Sequence, residues 1–329
     1  MRRALDPIDI HGCYFYNEDC ITGAREHIPD DSIDLIITDP PYGINGGQLH
    51  LHYNRNEKHV LDGYIEVPSS EYPTFSINWI KEAERILKPG GSIYIISGYT
   101  NLFHILNALH QTELREINHI IWKYNFGVFT RKKYVSSHYH ILYYEKPGES
   151  RTFNVESRYG LNEKNPNGGS SNYRDREDVW EIPREYKPRR LKNKNELPDD
   201  LLVKMMQYSS NEGDLVCDFF LGGFSTARVA IGLNRKLIGF ELSSQIFWAK
   251  IDEMKSIIPG ELFHDLRKPE LFRRENQGKS WSSEDLILLA ERFIQLTEEG
   301  TSKKDTIGIL QHEFKRGYWS IERALKKNI

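Results

Sequence analysis

The sequence predicts an α/β fold built on a mostly parallel sheet. Two observations carry that expectation. Short β-branched runs alternate with segments of helical spacing along most of residues 12–145 and 200–256, and strands that alternate with helices pair in parallel beneath covering helices. Sharp turns directly follow two of these runs, Asp39-Pro40-Pro41-Tyr42 after one and Leu221-Gly222-Gly223 after another. The carboxyl ends of parallel strands are where such sheets gather ligands.

Each element has a local reason. Residues 12–17 read as a strand, 20–27 as a short helix and 32–38 (Ser-Ile-Asp-Leu-Ile-Ile-Thr) as a buried strand. Phe75, Trp79, Ala83 and Ile86 recur at helical spacing until Lys88-Pro89-Gly90-Gly91 stops the helix. Residues 92–97 give the next strand and 102–110 the next helix. Residues 117–122 and 138–144 read as a strand pair joined by a basic link, Thr130-Arg131-Lys132-Lys133. Regularity fades over 145–195, where Gly, Asn, Pro and Arg collect, and a stretch that long reads as an insertion or functional loop. Alternation then resumes with a helix at 200–208, strand at 215–218, helix at 225–233, strand at 236–241 and helix at 244–256. In the tail, Trp281, Leu286, Leu289, Phe293 and Leu296 share one helix face. Ile307, Leu310 and Phe314 share a second, and Trp319, Ile321, Ala324 and Leu325 a third. Three short helices with Lys315, Arg316, Arg323, Lys326 and Lys327 nearby fit a helix-turn-helix unit and equally a plain helical bundle.

Of the 329 residues, 39% are hydrophobic and 28% charged, enough to bury a core and too apolar for a disordered tail. No run approaches the roughly 20 apolar residues of a membrane span. The first residues lack an apolar signal core, so a cytoplasmic protein is expected. Cys13, Cys20 and Cys217 are too few and too scattered for a disulfide framework or a zinc site. His27, His50, His52 and His59 read as polar surface, so no metal is expected. Net charge is −3, yet residues 123–194 hold 16 Lys and Arg against 9 Asp and Glu, and residues 267–329 hold 13 against 10. A basic middle in an acidic chain suits a polyanion held on one face, and solvated surface charge equally.

The chemistry gathers in two clusters. After the strand at 32–38, two prolines fix the backbone and remove two donors, leaving the Pro40 carbonyl as an acceptor. Asp39 adds a carboxylate and Tyr42 a flat ring. Two acceptors beside a ring suit a planar group bearing an amine, such as a nucleobase; a plain rigid turn is the competing explanation. The second cluster is Asp218-Phe219-Phe220-Leu221-Gly222-Gly223-Phe224-Ser225-Thr226. A glycine turn admits a ligand to the backbone, and the helix start beyond it offers N–H groups. Glu241 ends the next strand about twenty residues on, where a carboxylate can hold ribose hydroxyls. Together these describe a nucleoside pocket.

In this order and spacing the two clusters resemble the amino-methylating DNA methyltransferases, and the order of catalytic motif before cofactor motif resembles their β-class. The lead-in Asp19-Cys20 and Pro29-Asp30-Asp31-Ser32-Ile33-Asp34, the Leu87-Lys88-Pro89-Gly90-Gly91 segment and residues 194–198 are similar to that family too. The resemblance covers roughly residues 14–250. It implies a Rossmann-like, circularly permuted methyltransferase fold, with S-adenosylmethionine as cofactor and a flipped base of double-stranded DNA as substrate. On this reading residues 1–145 are the catalytic half, 146–193 an inserted target-recognition region, 194–265 the cofactor half and 279–329 a helical tail. It also implies a site-specific enzyme of a prokaryotic or phage cytoplasm, acting at the nucleoid. A cognate restriction endonuclease is a partner such an enzyme can have, which the sequence does not decide; relatives are often homodimeric, although no interface is legible here.

Residue by residue, the resemblance gives Asp39, Pro40, Pro41 and Tyr42 the catalytic motif. Asp19 would contact the cofactor adenine, Glu241 its ribose, and Asp218, Phe220 and Gly222 its amino-acid end. Ser225 and Thr226 would join them, with helix capping as the alternative, and Lys194 would line the same pocket or lie on the surface. Arg131, Lys132, Lys133, Arg174 and Arg176 would bind DNA. The loop at 43–73, with His50, His52, Tyr53, Asn54 and Arg55, would close over the base. Two departures stand out: Phe219 and Phe224 replace a proline and a glycine of the family pattern, from which a bulkier wall beside the cofactor is expected. Asp at the head of the motif favours adenine-N6 over cytosine-N4. A DNA-binding regulator with a decayed methyltransferase fold is the rival from another class.

Overall fold

A computed structural model describes residues 6–41, 67–125, 127, 131–184, 196–269, 275–276 and 278–328. These fall into two compact units, Met1–Arg158 with Asp175–Lys268, and Tyr159–Arg174 with Pro269–Ile329.

The first unit is organised by a nine-stranded sheet. Its strands are β1 (Ile8–Ile10), β2 (Cys13–Tyr16), β3 (Ile33–Thr38), β4 (Leu87–Ser97), β5 (Arg115–Lys123), β6 (His138–Glu145), β7 (Val179–Glu181), β8 (Leu215–Asp218) and β9 (Lys236–Phe240). Their order across the sheet is β1-β2-β9-β8-β3-β4-β6-β5-β7. The β2–β9, β9–β8, β8–β3, β3–β4 and β5–β7 pairs are parallel, and β1–β2, β4–β6 and β5–β6 antiparallel. The helices of this unit are α1 (Cys20–His27), α2 (Tyr72–Ile86), α3 (Leu102–Leu109), α5 (Asp199–Ser209), α6 (Ser225–Gly232) and α7 (Ser244–Lys255), while α4 (Ser171–Asp175) runs across the boundary between the units.

The sheet is buried on both faces. Along β3, Leu35 and Ile37 enter one core with Leu201, Met205 and Phe224, while Ile33 and Ile36 enter another with Trp79, Ile80 and Ile105. Continuous apolar strands of this kind belong to parallel sheets covered on each side. α1 starts where Asp19 accepts from the Ile21 and Thr22 N–H groups, a side-chain cap. The mostly parallel α/β architecture predicted from the sequence is therefore the one observed.

Three details differ from the sequence reading. Lys88-Pro89-Gly90-Gly91 does not merely stop a helix: β4 begins at Leu87 and runs through it, with Gly90 at φ +77°. A side chain there would be strained and would press on the Ser150 carbonyl at 2.9 Å. The irregular stretch after residue 145 contains α4 and the edge strand β7, and β1 precedes the first expected strand.

In the second unit, α8 (Ser283–Glu298), α9 (Lys303–Phe314) and α10 (Tyr318–Asn328) bury Leu289, Leu296, Ile307, Leu310, Ile321 and Leu325 in a core of their own. Each of the three predicted helices is present. No helix among the described residues is long and apolar enough to cross a membrane.

Candidate active site

Four neighbouring strands, β2, β9, β8 and β3, point their carboxyl ends the same way, and each hands its chain to an acidic residue. Asp19 follows β2, Glu241 follows β9, Asp218 ends β8 and Asp39 follows β3. Residues separated by up to about 220 positions are thus brought to one rim. A direct bond joins the two halves: Thr38 Oγ1 donates to Asp218 Oδ1 at 3.0 Å, and both side chains are buried.

Glu241 bridges the second cluster. Its carboxylate accepts from the Gly222 N–H at 2.9 Å and from the Ser243 N–H at 2.7 Å. The Asn17 side chain donates to the Glu241 carbonyl at 2.7 Å, tying β2 to the same corner. Gly222 sits at φ +48°, the left-handed region that favours glycine.

One cleft lies over this rim, holding about 1000 Å³ when the open solvent at its mouth is included. Asp39, Pro41, Asp19, Asp218, Phe220, Gly222, Ser225, Thr226 and Glu241 all line it. Pro40 is buried between Asp39 and Pro41 and is not among the lining residues. Tyr42 and Lys194, and the loop residues 43–66, lie outside the described residues. Arg131, Lys132 and Lys133 are exposed on the β5–β6 link; Arg174, in the second unit, and Arg176, in the first, are exposed as well.

The cleft is acidic throughout. Glu18, Asp19, Asp39, Glu196, Asp218 and Glu241 line it, with no Lys, Arg or His among the lining residues described. Burial pushes Asp218 up to about 6, against bonds from Thr226, the Phe220 N–H and Thr38 that favour its ionised form. Burial likewise pushes Glu241 up to about 7, against the Ser243 and Gly222 N–H groups. Desolvation outweighs hydrogen bonding at both. Ser225 Oγ, at the start of α6, is buried with no hydrogen-bond partner among the described residues. An orphaned hydroxyl inside a cleft is a group waiting for a ligand.

The bulkier wall expected from Phe224 is not there. Phe224 is fully buried, stacked on Phe15 at 5.5 Å and edge-on to Phe247 at 6.0 Å, and does not line the cleft. Its backbone sits at φ 59°, ψ 23°, and that left-handed turn swings the ring into the core. Phe219 does line the cleft, beside Trp79.

Sequence reasoning missed Glu18, Phe75, Glu196 and Leu197 as lining residues. Glu196 pairs with Lys250 at 3.0 Å, a lysine only 2% exposed. A Cβ on Gly223 would meet the Glu196 side chain at 2.4 Å, so the second glycine leaves room for that carboxylate.

Comparison with known proteins agrees with this geometry. A family described as DNA methylase matches residues 33–249. Type II methyltransferase M.BamHI of Bacillus amyloliquefaciens is 30% identical over 88% of this chain and 68% of its own. DNA adenine methyltransferase YhdJ of Escherichia coli is 34% identical over 66% of this chain and 74% of its own. The fold is shared with a proposed DNA modification methylase of Thermus thermophilus solved with S-adenosyl-L-methionine, at TM-score 0.53 and 21% identity over 78% of this chain and 96% of that one. With the matched segment running from β3 into the first half of α7, across both halves of the cleft, the chain belongs to the DNA methylase family.

Proposed function

We propose that this protein methylates the N6 amine of adenine in double-stranded DNA, with S-adenosylmethionine as donor. The observation that carries the reading is the sharing of one acidic cleft by Asp39 and Pro41 on one side and Asp218, Gly222 and Glu241 on the other. A cationic cofactor fits a lining of six carboxylates, and Ser225 Oγ and the α6 N–H groups suit its carboxylate end. Glu241 holds the ribose and Asp19 the adenine ring. When bound, this cofactor supplies a methyl group already activated on sulfonium.

The rest falls to the protein's own groups. An aromatic amine is a poor nucleophile because its lone pair is drawn into the ring. Asp39 accepts one of its N–H bonds from the cleft lining, and the carbonyl of Pro40, which has to turn toward the cleft to do so, accepts the other; together they draw the nitrogen toward a tetrahedral shape and localise that pair. Asp39 then takes the proton the amine sheds. Positioning and charge stabilisation do this work without a covalent intermediate. The base leaves the duplex to reach the cleft, at a cost of a few kcal/mol. Tyr42 stacking and phosphate contacts from Arg131, Lys132, Lys133, Arg174 and Arg176 offset that cost. Adenine is preferred because Asp opens the motif, and the E. coli relative carries adenine in its name.

Mass spectrometry of nucleosides from treated DNA tests the reading. N6-methyladenine is expected, and N4-methylcytosine alone would overturn the choice of base. The decayed-regulator reading loses one of its three motives, since Phe224 turns away from the cleft while Phe219 lines it and the helical tail is present; intact DNA binding without cofactor binding would favour it.

A further inference from the structure

The rim that carries Asp39 holds a second constructed feature. β4 is parallel to β3, β6 antiparallel to β4 and β5 antiparallel to β6, so β5 runs the same way as β3, and β7 pairs with it in parallel. Trp122 and Lys123 at the end of β5, Tyr139 near the start of β6 and Arg184 just beyond β7 therefore share the sheet end of Asp39. Three strand spacings separate β3 from β5, roughly 14 Å, or about four base-pair steps.

At this place Trp122, Tyr124 and Tyr139 form a mutual cluster with ring centroids 5.5–5.7 Å apart. The Trp122 Nε1–H donates to the Ile182 carbonyl at 2.8 Å, which fixes the indole. The Arg184 guanidinium lies over all three rings, 5.7, 4.8 and 5.1 Å from their centroids. Cation–π stacking holds its plane. Its Nε is buried and has no hydrogen-bond partner among the described residues. A buried donor left unpaired is costly; the terminal Nη groups of this partly exposed side chain, held in plane by the rings, are the fork that an outside acceptor can meet. The link between β5 and β6, flanked by Tyr124 and Tyr139, carries the exposed Arg131, Lys132 and Lys133, so the ground around it is already suited to DNA.

We propose that Arg184 is a DNA-reading residue whose ring-clamped guanidinium takes a paired acceptor on the duplex, either the O6/N7 edge of a guanine or two phosphate oxygens. The proposal rests on the methyltransferase reading above and adds a specificity or anchoring residue to it. Asp39 acts on the target base, while Arg184 fixes the duplex a few base pairs away.

The test compares wild type with R184K, which keeps the charge, and R184M, which keeps the stem over the rings. Each methylates a duplex pool with randomised positions, and the products are sequenced for modified bases; DNA affinity is also measured across salt. A guanine contact broadens the methylated motif at one G·C position, with about 10- to 100-fold less discrimination and an unchanged salt slope. A phosphate contact leaves the motif intact and lowers the slope by about one in R184M, with R184K near wild type. Either result upholds the proposal. An unchanged motif and slope in variants that still bind S-adenosylmethionine would overturn it. A wild type that methylates nothing would instead overturn the reading of function, and the DNA affinity of R184M at fixed salt, together with its salt slope, would still decide whether Arg184 touches DNA.

Discussion

Phe224 allows a sharp test of how this chain carries a departure from its family's glycine pattern. Two terms oppose each other there. The ring is 0% exposed and packed between Phe15 and Phe247, so truncation to alanine costs about 3–5 kcal/mol. The backbone at φ 59° costs a residue with a Cβ about 1–2 kcal/mol. Alanine loses the ring and keeps the strain, whereas glycine loses the ring and relieves it. Glycine normally trails alanine in a well-ordered chain; here F224G should be the more stable by about 1 kcal/mol. Calorimetry should place F224A roughly 6–20 °C below wild type and F224G a few degrees above F224A. Because the ring does not line the cleft, S-adenosylmethionine affinity should stay within about threefold in F224G. An F224A more stable than F224G would refute the left-handed argument, and a collapse of cofactor affinity in folded F224G would refute the placement of the ring.

Two further outcomes follow from charge. Asp218 and Glu241 stay protonated in the folded protein to about pH 6 and 7, whereas they ionise near pH 4 in the unfolded chain. Their contribution to stability is thus present below pH 4 and lost as pH rises toward 7, by at most about 3 kcal/mol each. Thermal unfolding of D218N and E241Q across pH 4–8 should show a shallower decline than wild type; parallel curves would contradict the assignment. Calorimetric affinity for the cationic cofactor should run the other way, falling as pH drops below about 7, and pH-independent binding would argue against ionised carboxylates as its partners. Replacing Arg131, Lys132 and Lys133 by serine should lower the salt slope of DNA binding by up to about 2.7, whereas an unchanged slope would place the phosphate contacts elsewhere.

How far the sequence carries the reader depends on how local each cause is. β3 and β8 were legible because each is an apolar run ended by special residues, Asp39-Pro40-Pro41 and Asp218 before the glycine turn. Their meeting was legible only through the resemblance, since the Thr38–Asp218 bond spans 180 positions. β1 and β7 are three-residue strands whose existence comes from pairing with β2 and β5, so no local period announces them. The direction of Phe224 is set by a left-handed backbone that the core imposes. Glu196 lies in a segment, 194–198, that the sequence marks only as similar to the family, and its place in the cleft becomes visible when the fold sets it against Gly223 and Lys250. Arg184 likewise becomes distinct only when β5 and β6 bring Trp122, Tyr124 and Tyr139 beneath it.

The central claim is that Asp39, at the open end of β3, grips the amine that receives the methyl group. Single-turnover transfer of labelled methyl to duplex DNA by wild type and D39A, with cofactor affinity measured calorimetrically on the same samples, tests it most directly. Label is expected on the N6 of adenine with wild type and none with D39A, with cofactor affinities within a few-fold of each other. Methyl transfer by D39A at a rate near that of wild type would contradict it.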